Sequence, residues 1–171
     1  MTAPARLATA GVAVDDFRQA LRRLAGGVTV VASRGADGQP RGIVMTAVMS
    51  LSFDPPSMLI AVNRNATLLP ALLESGVFSI NMVDSGGEAW CNTFFAAEPA
   101  SRFRPEDWDD RASPAPVLRN AAASVVCDVD QAEPFGSHMV IRGLVRQATF
   151  RQDSHGLIYL DGRYARPDFC C

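Results

Sequence analysis

The chain has 171 residues, the usual size of one domain and enough to bury a core. Hydrophobic residues make up 48% and charged residues 20%, with a formal net charge of −2, a balance that argues against an electrostatic nucleic-acid binder or a membrane-surface protein. All 16 basic residues are arginine, and the lack of lysine excludes a Schiff-base enzyme, pyridoxal phosphate on a lysine included, and a Walker P-loop.

Residues 1–14 are small and weakly polar, without the charged and apolar regions of a signal peptide, and read as a flexible lead-in to one domain over 15–171. No apolar run approaches the roughly 20 residues that cross a bilayer. Asp15 is placed to cap a short amphipathic helix carrying Phe17, Leu21 and Leu24 and stopped by Gly26-Gly27. A β-branched strand follows over Val28–Ala32, then a tight turn at Asp37-Gly38 and a returning strand from about Gly42 into Val48. Asp54-Pro55-Pro56 breaks the chain, because proline lacks an N–H and restricts its predecessor. Ser57–Val62 reads as a buried strand, Asn63–Thr67 as a turn, and Leu68–Glu74 as a helix closed by Gly76.

Phe78, Ile80 and Met82 alternate with Ser79 and Asn81, which predicts a half-buried strand. Ser85-Gly-Gly-Glu88 matches a capping box opening a helix to about Phe95. Ala97–Pro116 reads as a long surface loop. Val125, Cys127 and Val129 alternate, His138–Phe150 reads as a long strand, and Leu157–Tyr164 as a short strand and turn around Asp161-Gly162. Six or seven strands with three scattered helices, and no GxGxxG, disfavour a doubly wound sheet; a mainly β (α+β) antiparallel barrel with peripheral short helices fits better. The four cysteines include adjacent Cys170 and Cys171 but no CxxC pair, and His138 and His155 are the only histidines, so no metal site is expected and the thiols read as reduced in a cytoplasmic protein.

Four places have residues suited to ligand chemistry. In Thr46-Ala47-Val48-Met49-Ser50-Leu51-Ser52, small and hydroxyl residues stand where a core strand prefers large apolar ones; this reads equally as the face for a flat ligand and as an edge strand with a polar side. Asn63, Arg64, Asn65 and Thr67 could hold a phosphate ahead of the Leu68 helix, or form a solvated loop with Thr67 as N-cap. His138 after Gly136-Ser137 is either a ligand contact or a structural histidine. Arg163 and Tyr164 either cap a flat ring or pack at a rim.

Segments along nearly the whole chain, from Phe17 to Tyr164, then carry a resemblance. They are Phe17-Arg-Gln-Ala-Leu-Arg-Arg-Leu-Ala, Gly27-Val-Thr-Val-Val-Ala, Thr46-Ala-Val-Met-Ser-Leu-Ser-Phe-Asp-Pro-Pro, Phe78-Ser-Ile-Asn-Met-Val, Gly136-Ser-His138, His155-Gly-Leu-Ile-Tyr159 and Gly162-Arg-Tyr164. In order and spacing they resemble the short-chain flavin reductases with an FMN-binding split β-barrel of Greek-key character. Among these the chain is most similar to the reductase components of two-component 4-hydroxyphenylacetate 3-monooxygenases and their pyrimidine-degradation relatives.

The resemblance implies an NAD(P)H:FMN oxidoreductase, FAD being the other flavin to consider, with NADH or NADPH as co-substrate. It implies a homodimer with flavin near the subunit interface, and a flavin-dependent monooxygenase partner that receives reduced flavin. It places Thr46, Ala47 and Val48 along the flavin ring, with Met49 between them and Ser50 and Ser52, which lie near the polar edge or ribityl chain. Asn63, Arg64, Asn65 and Thr67 match the phosphate loop, His138 a histidine on the nicotinamide side, and Tyr164 an aromatic rim position.

Departures are Ser137, where many relatives have aspartate, Arg142, where relatives often carry an uncharged residue, and Met49, bulkier than the common hydroxyl. Hydride transfer between stacked rings needs no protein base, which suits a chain without a triad or carboxylate pair, so His138 would orient the nicotinamide nucleotide. The residues leave two alternatives. A pyridoxamine-phosphate oxidase-like enzyme would need more cationic phosphate anchors, and a non-catalytic flavin-binding module would share the same patterns.

Overall fold

The computed structural model describes residues 11–109 and 113–169. Met1–Ala10 of the lead-in and the Cys170-Cys171 pair lie outside the described residues. Helix α1 (Val14–Leu21) starts one residue ahead of the expected cap: Ala13 is the N-cap, and Asp15 and Asp16 sit in the first turn, where the helix dipole favours negative charge. Phe17 and Leu21 on α1, and Leu24 just beyond it, are the expected apolar positions, but all three are exposed among the described residues, and no residue of α1 is buried.

Strands β1 (Gly26–Gly27), β2 (Thr29–Arg34) and β3 (Pro40–Met45) follow, with the Asp37-Gly38 turn between the last two. The single returning strand expected from Gly42 to Val48 is two elements. β3 ends at Met45, Thr46 and Ala47 form a link, and β4 (Val48–Phe53) begins beyond it. β5 (Pro56–Asn63) then leads through a turn to α2 (Leu68–Ser75), with Gly76 in the left-handed conformation at its end. β6 (Val77–Met82) precedes α3 (Glu88–Ala96). The capping box does not form: Gly87 is the N-cap, without a side-chain bond, and the Ser85 N–H donates instead to the His155 carbonyl.

The stretch read as one loop contains a 3₁₀ turn (Pro99–Ser101) and β7 (Trp108–Asp109), and β8 (Val117–Leu118) follows directly after it. Trp108 is buried there with Phe94 and Phe103. The long hairpin β9 (Ala123–Phe135) and β10 (His138–Phe150) and the short one β11 (Ile158–Leu160) and β12 (Arg163–Ala165) complete the chain. Each strand pairing is antiparallel. The main sheet has seven strands in the order β3-β2-β6-β9-β10-β5-β4, and β1-β11-β12 form a second, small sheet.

β3 and β4 are the two margins of the main sheet, yet only Thr46 and Ala47 separate them. Two linking residues span about 11 Å at most. Seven strands laid flat would put the margins about 29 Å apart, so the sheet curls until its edges approach at this link.

Cores lie on both sides of the curled sheet. Val30 and Ala32 point into one with Val28, Cys91, Phe94 and Leu157; Val31 points into the other with Ile60, Leu72, Phe78 and Ile141. This double burial explains the unbroken apolar run of β2. It also corrects the reading of β6 as half-buried: Ser79 and Asn81 are fully buried. Asn81 Nδ2 donates to the Val30 carbonyl at 3.0 Å, and its Oδ1 accepts from the Leu118 N–H and Ser124 Oγ, each at 2.9 Å. The polar face of β6 thus fastens the segment that covers it.

Candidate functional site

A cavity of about 760 Å³ opens where the edge link meets the small sheet. That volume falls in the range of small-molecule sites. Val44, Met45 and Thr46 form one wall. Glu88, Asn92 and Phe95 come from α3, Tyr159 from β11, and Gly162, Arg163 and Tyr164 from the turn and start of β12; Val28 closes the back. Apolar and aromatic surface dominates, with hydroxyl, amide, carboxylate and guanidinium groups interspersed, a lining suited to a flat, partly polar ring. Burial, with Cys91, Tyr159 and Glu88 nearby, pushes the Tyr164 phenol above its ordinary value, so it stands in the cavity as a protonated donor at neutral pH.

Of the residues singled out in sequence, Thr46, Arg163 and Tyr164 line this cavity together. A second group gathers at the adjoining end of the main sheet. His138 lies directly opposite Asn63 on the β10–β5 ladder, and the Arg64 N–H donates to the Ser137 carbonyl at 3.0 Å. The Asn63 carboxamide accepts the Asn65 N–H at 2.9 Å, which shapes the turn. The Ala47 carbonyl accepts from the Ala61 N–H at 3.0 Å, two residues before Asn63, so Thr46–Ala47 and Asn63–His138 share one end of the sheet. His138 is half-buried, and its Nδ1 sits 2.9 Å from Ser137 Oγ. Arg64, Asn65 and Thr67 are exposed; Thr67 is the N-cap of α2 but makes no side-chain cap bond.

The remaining residues of β4 separate by face. Met49 pairs with Leu59, which pairs with Arg142, and these occupy the outward face with His138 and Asn63. Val48 pairs with buried Ile60 and Ser50 with Met58, on the opposite face. Ser52 Oγ accepts the Asp54 N–H and donates to the Asp54 carbonyl, so its hydroxyl shapes the turn before Pro55. Arg142 ion-pairs with Asp130 on the neighbouring strand.

Sequence reading missed Val44, Met45, Glu88, Asn92, Phe95 and Tyr159 as lining residues. Val44 and Met45 lie just upstream of the segment singled out. The α3 residues had only an imperfect capping motif to recommend them, and no local signal shows that this helix lies over the edge link.

The fold and the site define an antiparallel β-protein with a mixed aromatic and polar cavity of small-molecule size at the linked margins of its sheet. The flavin reductase like domain family model matches residues 21–168. A relative called FMN reductase (NADH) RutF, from Pantoea ananatis, is 33% identical over 156 residues, which cover 91% of this chain and 82% of the relative. The 4-hydroxyphenylacetate 3-monooxygenase reductase component of Thermus thermophilus is 34% identical over 152 residues, 89% of this chain and 95% of the relative. The structure of the NADH:FAD oxidoreductase SgcE6 of Streptomyces globisporus, in complex with NAD and FAD fragments, superposes with a TM-score of 0.82 at 28% identity, covering 91% of this chain and 93% of that one. The chain belongs to the flavin reductase like family.

Proposed function

We propose that this protein is an NAD(P)H-dependent flavin reductase that passes hydride to FMN, with the cavity at the β3–β4 link as its flavin site. The observation that carries the assignment of the site is the meeting of Thr46 and Tyr164, far apart in sequence, in one cavity of a chain from this family. When bound, the flavin supplies the electron-accepting ring. The protein's part is to bind, orient and exclude water. Phe95, Tyr159 and Tyr164 offer aromatic surface, Thr46 and Asn92 hydrogen-bonding groups, and Arg163 a cation at the rim. Ser50 and Ser52, further along β4, are the hydroxyls for the polar ring edge or the ribityl chain. With no lysine available, a phosphate would fall to Asn63, Arg64, Asn65 and Thr67 at the sheet end. Ala47, Val48 and Met49 continue the path between the two. His138, oriented through Ser137, would meet the nicotinamide nucleotide.

The same reading extends to the architecture and assembly. A split barrel of Greek-key character is supported by the two-residue link between the sheet margins. A single domain over 15–171 suits the family match over 21–168. A homodimer is supported by the uncovered stripe of α1 and the exposed Met49, Leu51 and Phe53 of β4. A monooxygenase receiving reduced flavin suits the relative that is a monooxygenase reductase component. No helix among the described residues is long and apolar enough to cross a membrane, which is compatible with a cytoplasmic enzyme.

The test is NADH and NADPH oxidation by the purified protein with FMN and with FAD. Oxidation that depends on added FMN is expected, and Asn92→Trp, which fills the cavity from an exposed helix position, should abolish it. No flavin-dependent oxidation would overturn the activity; full activity in Asn92→Trp would overturn the site. His138→Ala should raise the NADH KM more than it lowers kcat, and unchanged values of both would remove His138 from the site.

A further inference from the structure

We infer that the corner between α1 and β1, residues Arg22 to Gly26, is a positioning element of the flavin site, setting two of its walls. None of these residues lines the cavity. The inference rests on the reading of that cavity as the flavin site.

The first wall is set through Gly26. Thr46 stands in the two-residue link, outside either flanking strand, so the sheet ladder does not hold it. Its side chain lies instead against Gly26, where an added Cβ would come within 2.8 Å of Thr46 Cβ and 3.3 Å of Cγ2. Any side chain at 26 would therefore push Thr46 from its place in the wall. Gly26 also pairs in register with Tyr159, another wall residue.

The second wall is set through Arg22. The β11–β12 hairpin turns on Asp161 (φ 51°) and Gly162 (φ 78°), both left-handed, as a two-residue hairpin turn of this type requires. Tyr159 lies on one arm and Arg163 and Tyr164 on the other, all in the cavity wall. Arg22 grips the tip. Its Nε donates to Asp161 Oδ1 at 2.8 Å and its Nη2 to the Asp161 carbonyl at 3.0 Å, while its own carbonyl accepts the Asp161 N–H at 3.0 Å. Arg23 Nη1 adds a bond to Oδ1 at 3.1 Å. Gly162 makes room for this grip, because a Cβ there would sit 3.1 Å from Arg22 Nη2.

The Arg22 hydrogen bond, with the charges of Arg22 and Arg23, holds the Asp161 carboxyl below the ordinary carboxylate range, so the latch stays ionised at neutral pH. Because the ion pairs are partly exposed, salt screens them, and the hairpin wall should loosen as ionic strength rises.

The experiment uses the full chain, with riboflavin as a probe free of phosphate charge, bound by fluorescence quenching, alongside FMN kinetics. Asp161→Asn keeps the left-handed turn, which asparagine accepts, and removes the ion pairs. It should weaken riboflavin binding about fivefold and raise the FMN KM with kcat little changed. Wild-type affinity should fall between about 0.05 and about 1 M salt while that of Asp161→Asn stays flat. Gly26→Ala should weaken binding about tenfold in the wild-type background and have no further effect beside Thr46→Gly, because the clash partner is gone.

A purely structural role would lower Tm without moving the riboflavin Kd or its salt dependence, and that result overturns the inference. So does a Gly26→Ala effect that persists beside Thr46→Gly. Should Gly26→Ala fail to fold, the salt dependence of Asp161→Asn decides alone. Asn92→Trp separates the two readings. If it blocks riboflavin while Asp161→Asn has no effect, only the positioning role fails. If riboflavin binds Asn92→Trp normally, the cavity is not the flavin site.

Discussion

Cys91 and Cys127 each occupy a core, one on either side of the main sheet, and burial raises their thiols to about 11 and about 12, with Asp128 adding to the effect at Cys127. A thiol whose folded value lies above its unfolded one, about 8.5, contributes stability that is fully present below that pH. The contribution is then lost as pH rises towards the folded value. Urea midpoints should accordingly fall from about pH 8.5 upward, and Cys127→Ala should lessen that slope. A slope identical in the variant would mean another group dominates the alkaline limb. In sequence these two residues were indistinguishable from any other cysteine, since a thiol's chemistry follows from its surroundings.

Among the elements, β6 shows how much a pattern leaves open. Alternation predicted one polar face, and that face exists, but the cover over it is protein. Asn81 satisfies buried backbone groups on β2 and β8 and bonds Ser124 at the start of β9. Removing its carboxamide leaves those groups desolvated and unpaired. Asn81→Ala should therefore cost about 1–3 kcal/mol in urea unfolding, larger than a surface change. A cost within about 0.5 kcal/mol would show that water enters and replaces the amide. The same limit applies to the segment from Gly42 to Pro56. Its turn residues and prolines located the break before β5, but the division at Thr46–Ala47 carries no glycine or proline. It arises because the sheet margins meet there.

For the whole molecule, the exposed apolar residues of α1 and β4 are the strongest sign of an assembly. Phe17 is 55%, Met49 56% and Phe53 92% exposed in the isolated chain, more than a stable monomer commonly leaves in such groups. Light scattering on the purified protein should give twice the mass of one chain, and Phe17→Asp should shift the equilibrium towards monomer. A monomeric wild type at micromolar concentration would remove the dimer from the reading and leave these faces unexplained.

Much of this protein could be read from its residues in order. Helix and strand periods, proline breaks and glycine turns are local properties, so β2, β5, α2, β10 and the final hairpin were legible. The absence of lysine and of GxGxxG narrowed the chemistry for equally local reasons. The run of small and hydroxyl residues from Thr46 to Ser52 read equally as a ligand face and as an edge strand, and only the resemblance carried by the other motifs favoured the first. Tertiary structure decided which of those residues meet. Only curling of the sheet brings Thr46 to α3 and the last hairpin, and only the β5–β10 register sets Asn63 beside His138. Ser52 and Thr67, equally plausible in sequence, have a turn and a helix start as their observed settings. The reason is physical: a side chain's type is encoded at its own position, whereas its neighbours across a cavity are set by loop closure and burial over the whole chain.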